Sequence, residues 1–372
     1  MRFRNLLMIA LALVVVGGFA FARGGAEDDT IKIGVGGVHS GDLASYGLPT
    51  VNAVELVVEK VNNAGGLLGK QIELVIEDDE CAPEKAANTA TKLVSEGVVA
   101  VIGHICSGAT ATALPIYEES GIIAISPSAT NPGLADSPNF FRTIAPDDAQ
   151  GELQATFLVE ELGVDKVAIL HDKGDYGKGL AEFTREYLEK AGVDVVMFEG
   201  ITVGAVDYSA IISRVGAAGV DAVVFGGYHP EASKLVDQGR RSGLLIPFIS
   251  GDGVKDDTFI DVAGSAAEGV YATGPRDTSS NAMDAIAKQE HIDKYGTEPG
   301  AFFMNAYAAT LALVNAIEKA GSTDTAAIIA ALTSSYVDTP LGAISFADNG
   351  NTIGVGFSVY QVQNLEYVQV AE

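Results

Sequence analysis

The chain has 372 residues, 48% of them apolar and 19% charged, which is long for one hydrophobic core and sufficient for two. A formal net charge of −26 excludes a nucleic-acid partner, because phosphate binding needs a basic surface. Acidity beyond that speaks only of solubility.

Arg2 and Arg4 precede an apolar run, residues 6–16, and then Ala20-Phe21-Ala22. This is the layout of a secretory signal peptide over residues 1–22, cut after Ala22. The run is short for a membrane anchor, and no cysteine follows it for a lipid. Residues 31–35 are a short apolar strand. Val51, Val54, Val58 and Val61 recur at helical spacing over 50–62, and Gly65-Gly66 stop that helix. A strand at 71–76 leads to a helix at 84–95 with Pro83 at its start. Strands at 98–103 and 122–125 are apolar throughout and flank a helix that begins near Ser107. A second series follows: helix 147–162, strand 166–170, helix 179–191, strand 193–198, helix 208–217, strand 221–225, helix 230–241 and strand 247–250. After a strand at 270–273 come helices at 282–295, 302–319 and 325–332. The tail reads as strands at 342–346 and 355–367 with a turn at 348–350.

Strands alternating with helices predict α/β architecture with parallel sheets covered on both faces. Two sheets suit the length, with changeovers near Pro146, near residues 274–275 and near residues 349–350. That assigns 30–146 plus 276–348 to one lobe and 147–275 plus 349–372 to the other. Cys81 and Cys106 are the two cysteines of an exported chain, so a disulfide is the reading over a catalytic thiol or a metal pair. It would add about 3 kcal/mol by restricting the unfolded chain.

In open parallel sheets, ligands sit beyond the carboxyl ends of the strands. Ser107, Thr110 and Thr130 fall there, each where a helix should begin. Hydroxyls beside the amides of a helix N-terminus favour a carboxylate or phosphate. Plain N-capping explains one such corner, but two successive ones point to a site. Tyr176, Tyr228 and Asp252 follow strands of the second series. Facing the hydroxyls across a cleft, they would offer aromatic walls and an acid, a set suited to a zwitterion. Other chemistry is poorly supported. "GVGGVHSG" lacks the third glycine of a dinucleotide loop, and no phosphate-binding P-loop is present. The five histidines form no metal motif. A Ser107–His104 hydrolase pair is the enzymatic alternative, without the nucleophile-elbow sequence. The four carboxylates of "IEDDEC" read as a solvated strand end.

The segments "SGDLASYG", "VIGHICSGAT", "ISPSATNP", "HDKGDYGKGLA", "GGYHPEA" and "GAFFMNAYAA", with "NAGGLLGKQIELVIEDDECAPEKA", resemble the leucine/isoleucine/valine-binding proteins of bacterial ABC importers. The resemblance implies a type I periplasmic binding protein fold, two Rossmann-like lobes joined by a three-segment hinge. It implies pairing of Cys81 with Cys106. It places Ser107, Ala129 and Thr130 on the ligand carboxylate and part of its ammonium, with backbone contacts from Ser128. Tyr176, Tyr228 and Asp252 would close from the second lobe, and Tyr46, Ile105 and Phe302 would line the side-chain pocket. Asp252 stands where leucine-binding members carry Glu. The function implied is capture of an amino acid, aliphatic first and another small polar ligand second, in the periplasm. Delivery would be to membrane permease subunits, by a monomer with no cofactor, metal or catalytic step.

Overall fold

The computed structural model describes residues 30–372; the signal-peptide reading lies outside them. Among the described residues the strands form three sheets. The first holds β1 (Thr30–Gly37), β2 (Gln71–Asp78), β3 (Ala100–Gly103), β4 (Ile123–Ser126) and β5 (Phe140–Arg142), ordered β2-β1-β3-β4-β5 and parallel throughout. The helices between them are α1 (Ala44–Asn63), α2 (Pro83–Ser95) and α3 (Ser107–Glu119). β3 and β4 are buried along their whole length, because both faces of a parallel sheet are covered.

The chain then enters a second sheet through α4 (Asp147–Thr156), whose end widens into a π-helical turn at Phe157–Glu161. It continues as β6 (Lys166–His171), α5 (Asp175–Lys190), β7 (Asp194–Gly200), α6 (Ser209–Ala218), β8 (Ala222–Gly226), α7 (His229–Arg241) and β9 (Phe248–Ser250). α8 (Asp257–Ala263) and β10 (Tyr271–Pro275) follow. Helices α9 (Ala282–Tyr295), α10 (Phe303–Ala320) and α11 (Thr325–Ser334) return to the first core. There Leu313, Ile317 and Ile328 pack with Ile33, Ile102 and Ile125, all six fully buried. Each such side chain contributes about 1.5–3 kcal/mol relative to exposure.

The tail departs from expectation. β11 (Val337–Thr339), β12 (Gly342–Phe346) and β13 (Thr352–Ile353) make a small antiparallel sheet, and Ile344 and Phe346 pack into the first core. Thr352 and Ile353 still pair with β12, so the chain changes sides after residue 353 rather than at 349–350. The expected strand at 355–367 is two, β14 (Phe357–Gln363) and β15 (Glu366–Ala371), running antiparallel. Asn364 and Leu365 both take positive φ, the geometry of a tight hairpin turn; the leucine conceals that signal in sequence. The second sheet is ordered β15-β14-β10-β9-β8-β6-β7, parallel from β10 to β7. β5, three residues long, and the short helix α8 carry too little periodicity to be read.

Candidate functional site

Tyr46, Ile105, Ser107, Ser128, Tyr176, Tyr228, Asp252 and Phe302 line one small cavity, together with Gly253. The fold brings them there from the carboxyl ends of both sheets. Tyr46 lies in the first turn of α1, and Ser107 is the first residue of α3. Ser128 follows β4, and Phe302 caps α10. Opposite them, Tyr176 is the second residue of α5, which starts at Asp175, four residues before the start at 179 expected from the sequence. Tyr228 precedes α7, and Asp252 and Gly253 follow β9.

The hydroxyl wall is only partly as expected. Ser107 Oγ accepts the Asn131 amide at 3.3 Å, and Ser128 Oγ donates to the Ile105 carbonyl at 2.8 Å. Both keep capacity for a further bond. Thr110 is spent inside α3, donating to the Cys106 carbonyl. Ala129 and Thr130 are fully buried behind Ser128 and are not on the cavity wall. The Ala129 amide donates to Ser126 Oγ at 2.9 Å and its carbonyl accepts from Arg142 at 3.2 Å, so neither group is turned to the cavity. The chain after Thr130 forms a five-residue 3₁₀ turn, Pro132–Asp136, rather than an α-helix. Of the two hydroxyl corners expected from the sequence, only the one at Ser107 opens an α-helix.

That corner is braced. Cys106, the residue before α3, is bonded to Cys81 with Cα atoms 5.5 Å apart. His104 is fully buried, with Nδ1 bonded to Asp79 Oδ2 at 2.5 Å and Nε2 to the Tyr117 hydroxyl at 2.8 Å. Both ring nitrogens are taken, so His104 does not serve Ser107 as a base. Asp79 also accepts the Cys81 amide, which makes it a buried structural group and not part of a solvated strand end. Its neighbours are engaged too: Asp78 by Ser40 and the His39 amide, Glu77 by Lys92, Glu80 by Lys85.

The opposite end of the cavity is acidic. Asp252 is 2% exposed, and its Oδ1 accepts from Gln150 Nε2 at 3.0 Å and from the Tyr176 hydroxyl at 2.7 Å. Gly251 makes room for this: a Cβ there would come within 2.5 Å of both Gln150 Oε1 and the Tyr176 oxygen. Burial pushes the Asp252 carboxyl up to about 6, with the two donors pulling the other way. A second carboxylate joins it, one the sequence reading missed. Asp147, first residue of α4, is fully buried, and burial and the charge of Asp252 push its carboxyl well above the ordinary range. Thr130 and Arg142 lie near enough to oppose that rise, but neither completes a hydrogen bond to its oxygens. In sequence it looks like an ordinary acidic residue in the first turn of a helix. Asp147 lies near enough to Asp252 to feel its charge but is not among the residues lining the cavity.

Aromatic rings connect the two ends. Tyr46 lies 5.8 Å from Phe302 and 6.0 Å from Tyr228, and Tyr176 lies 5.1 Å from Tyr228, centroid to centroid. The halves are shut against each other. The Tyr46 hydroxyl donates to the Gly253 carbonyl at 2.6 Å, and Asn131 Nδ2 donates to the Asp175 carbonyl at 2.8 Å. Arg142, fully buried, ties the loop behind Ser128 to the tail. Its Nη1 donates to the Ala129 and Asn131 carbonyls and its Nε to Asn351 Oδ1 at 2.7 Å.

Residues 30–366 match the sequence profile of a family described as periplasmic binding protein. The chain belongs to the periplasmic binding protein family. One curated relative of this binding protein is the leucine-, isoleucine-, valine-, threonine- and alanine-binding protein of Pseudomonas aeruginosa. It is 38% identical over 356 residues, 94% of each chain. Among solved structures, a leucine-binding protein from Thermotoga maritima superposes with a TM-score of 0.86 at 28% identity, covering 92% of this chain and 98% of that one. A branched-chain amino-acid transporter substrate-binding protein from Streptococcus pneumoniae, solved with isoleucine, gives 0.82 at 31% identity over 92% and 100%. The family is one of solute binders, and the expected type I architecture is the one observed. No helix among the described residues of this binding protein is long and apolar enough to cross a membrane.

Proposed function

We propose that this periplasmic binding protein captures an aliphatic α-amino acid, leucine, isoleucine or valine, and presents it to the membrane permease of an ABC importer. The observation that carries the reading is the polarity of the cavity, with the hydroxyls of Ser107 and Ser128 at one end and the buried carboxyl of Asp252 at the other. The ligand carboxylate docks on Ser107 and the first amides of α3. Its ammonium lies against Asp252, which restores the ionised form of an acid that burial disfavours. The side chain packs among Tyr46, Ile105 and Phe302. Docking starts on the first lobe; closure then brings Tyr176, Tyr228 and Asp252 over the ligand. The ligand's greater affinity for the shut form drives the shift, the hinge closure for which periplasmic binding proteins are the general example. No bond is made or broken. Export on the signal peptide at residues 1–22 would place the protein outside the cytoplasmic membrane, where its relatives' family name places them.

Native mass spectrometry of freshly purified protein, followed by calorimetry with leucine, isoleucine and valine, tests this. The expected result is a bound mass of an aliphatic amino acid and one binding site per chain. A thermal shift with an amide or an amine-free acid, and none with leucine, would establish the second reading, a different small polar ligand. That reading draws on Asp252, shorter than the Glu of the leucine-binding pattern by about one C–C bond.

A further inference from the structure

Asn131 is gripped by one lobe and reaches the other. It opens the 3₁₀ turn Pro132–Asp136, and its side-chain oxygen caps that turn by accepting the Gly133 amide at 2.9 Å. Its own amide donates to Ser107 Oγ at 3.3 Å, and its carbonyl accepts from Arg142 Nη1 at 3.0 Å. Three of its polar groups are thus fixed within the first lobe, one of them on the hydroxyl at the docking corner. The fourth, Nδ2, crosses the cleft and donates to the Asp175 carbonyl at 2.8 Å. Asp175 is the first residue of α5, and the next residue, Tyr176, lines the cavity and donates to Asp252.

Both lobes leave room for this contact. A Cβ on Gly108, in α3, would come 3.2 Å from Asp175 Oδ2, and one on Gly179, in α5, would come 3.2 Å from Asn131 Nδ2. Both glycines lie inside helices and neither has a positive φ, so the backbone itself does not call for them. Glycine in a helix is a poorer former than alanine, a loss accepted here at the closest approach of α3 and α5. The bond from Tyr46 to Gly253 also joins the lobes, but both its partners line the cavity. Asn131 and Asp175 do not.

We infer that Asn131 is a positioning residue for capture, a latch that joins the docking corner at Ser107 to α5 and holds the lobes shut without touching the ligand. It governs how long a ligand stays rather than how fast it arrives, because docking on the first lobe precedes the bond across the cleft. The inference rests on the reading above, in which an amino acid docks at Ser107. Stopped-flow tyrosine fluorescence with L-leucine tests it, the chain having no tryptophan. Asn131→Asp keeps the capping oxygen and removes the donor, leaving a carboxylate oxygen against the Asp175 carbonyl. Dissociation should become about three- to tenfold faster, with little change in association or in the ligand-free melting temperature. Gly179→Ala should speed dissociation by less without lowering the ligand-free melting temperature, since alanine favours the helix. Should Asn131→Asp fail to fold, Gly179→Ala carries the comparison. A folded Asn131→Asp that releases leucine at the wild-type rate, whatever its melting temperature, would overturn the inference and leave the amino-acid reading standing. A wild type that binds none of leucine, isoleucine and valine would take both down.

Discussion

On the first-lobe wall, the polar groups are bound into their own lobe. Ser107 accepts from Asn131, Ser128 donates to Ile105, and the turn beneath them is fixed by the Cys81–Cys106 bond and by His104 between Asp79 and Tyr117. On the second-lobe wall, Asp252 is oriented by Gln150 and Tyr176 but remains a buried acid with no cation among the side chains it bonds. The first wall is settled before a ligand arrives. The second is held at a cost that an ammonium would offset. The contrast separates docking from commitment: one surface receives, and the other gains from closing.

The largest expected effect bears on the second wall. Asp252→Ala should weaken amino-acid binding by about 2–5 kcal/mol, since it removes the partner of a desolvated charge. An unchanged affinity by calorimetry would place Asp252 outside the site. Next is the brace of the first wall. Cys81→Ser should lower stability by about 3 kcal/mol while affinity holds nearly constant. Equal melting temperatures with and without reductant would remove the brace from the argument.

Acidity tests the cost directly. The Asp252 carboxyl is held up at about 6, above its unfolded value near 4. The ligand-free protein therefore keeps this group's favourable contribution below pH 4 and loses it as the pH rises through 6. Ligand binding needs the ionised form, so affinity should be level above pH 6 and about tenfold weaker at pH 5. A flat profile between pH 5 and 7 would mean that the acid is already ionised in the ligand-free form. Smallest is Ser107→Ala, expected to cost about 1 kcal/mol because the α3 amides remain. A loss as large as that of Asp252→Ala would erase the distinction between the walls.

The alternation of apolar runs with helical spacings was legible because parallel sheets bury both faces of their strands. The corner at Ser107 and the tyrosines and acid opposite it were legible as strand-end residues. Thr130 was read onto the wall as a strand-end hydroxyl at a helix start and Ala129 through the family resemblance; the turn that follows is 3₁₀, and neither residue lines the cavity. Asp147 was hidden for the opposite reason. Its sequence setting is that of any acidic helix start, and only the meeting of α4 with the β9 turn, through Gln150 and Asp252, makes it part of a pair.

Arg142 ties the loop behind Ser128 to the segment that leads out of the first lobe. One guanidinium grips the carbonyls behind Ser128 and the side chain of Asn351, three residues before the chain leaves the first lobe for β14. Swinging the halves apart must leave that clasp intact or break several bonds to a buried cation at once. One buried side chain thus makes the loop behind Ser128 and the crossing segment a single unit.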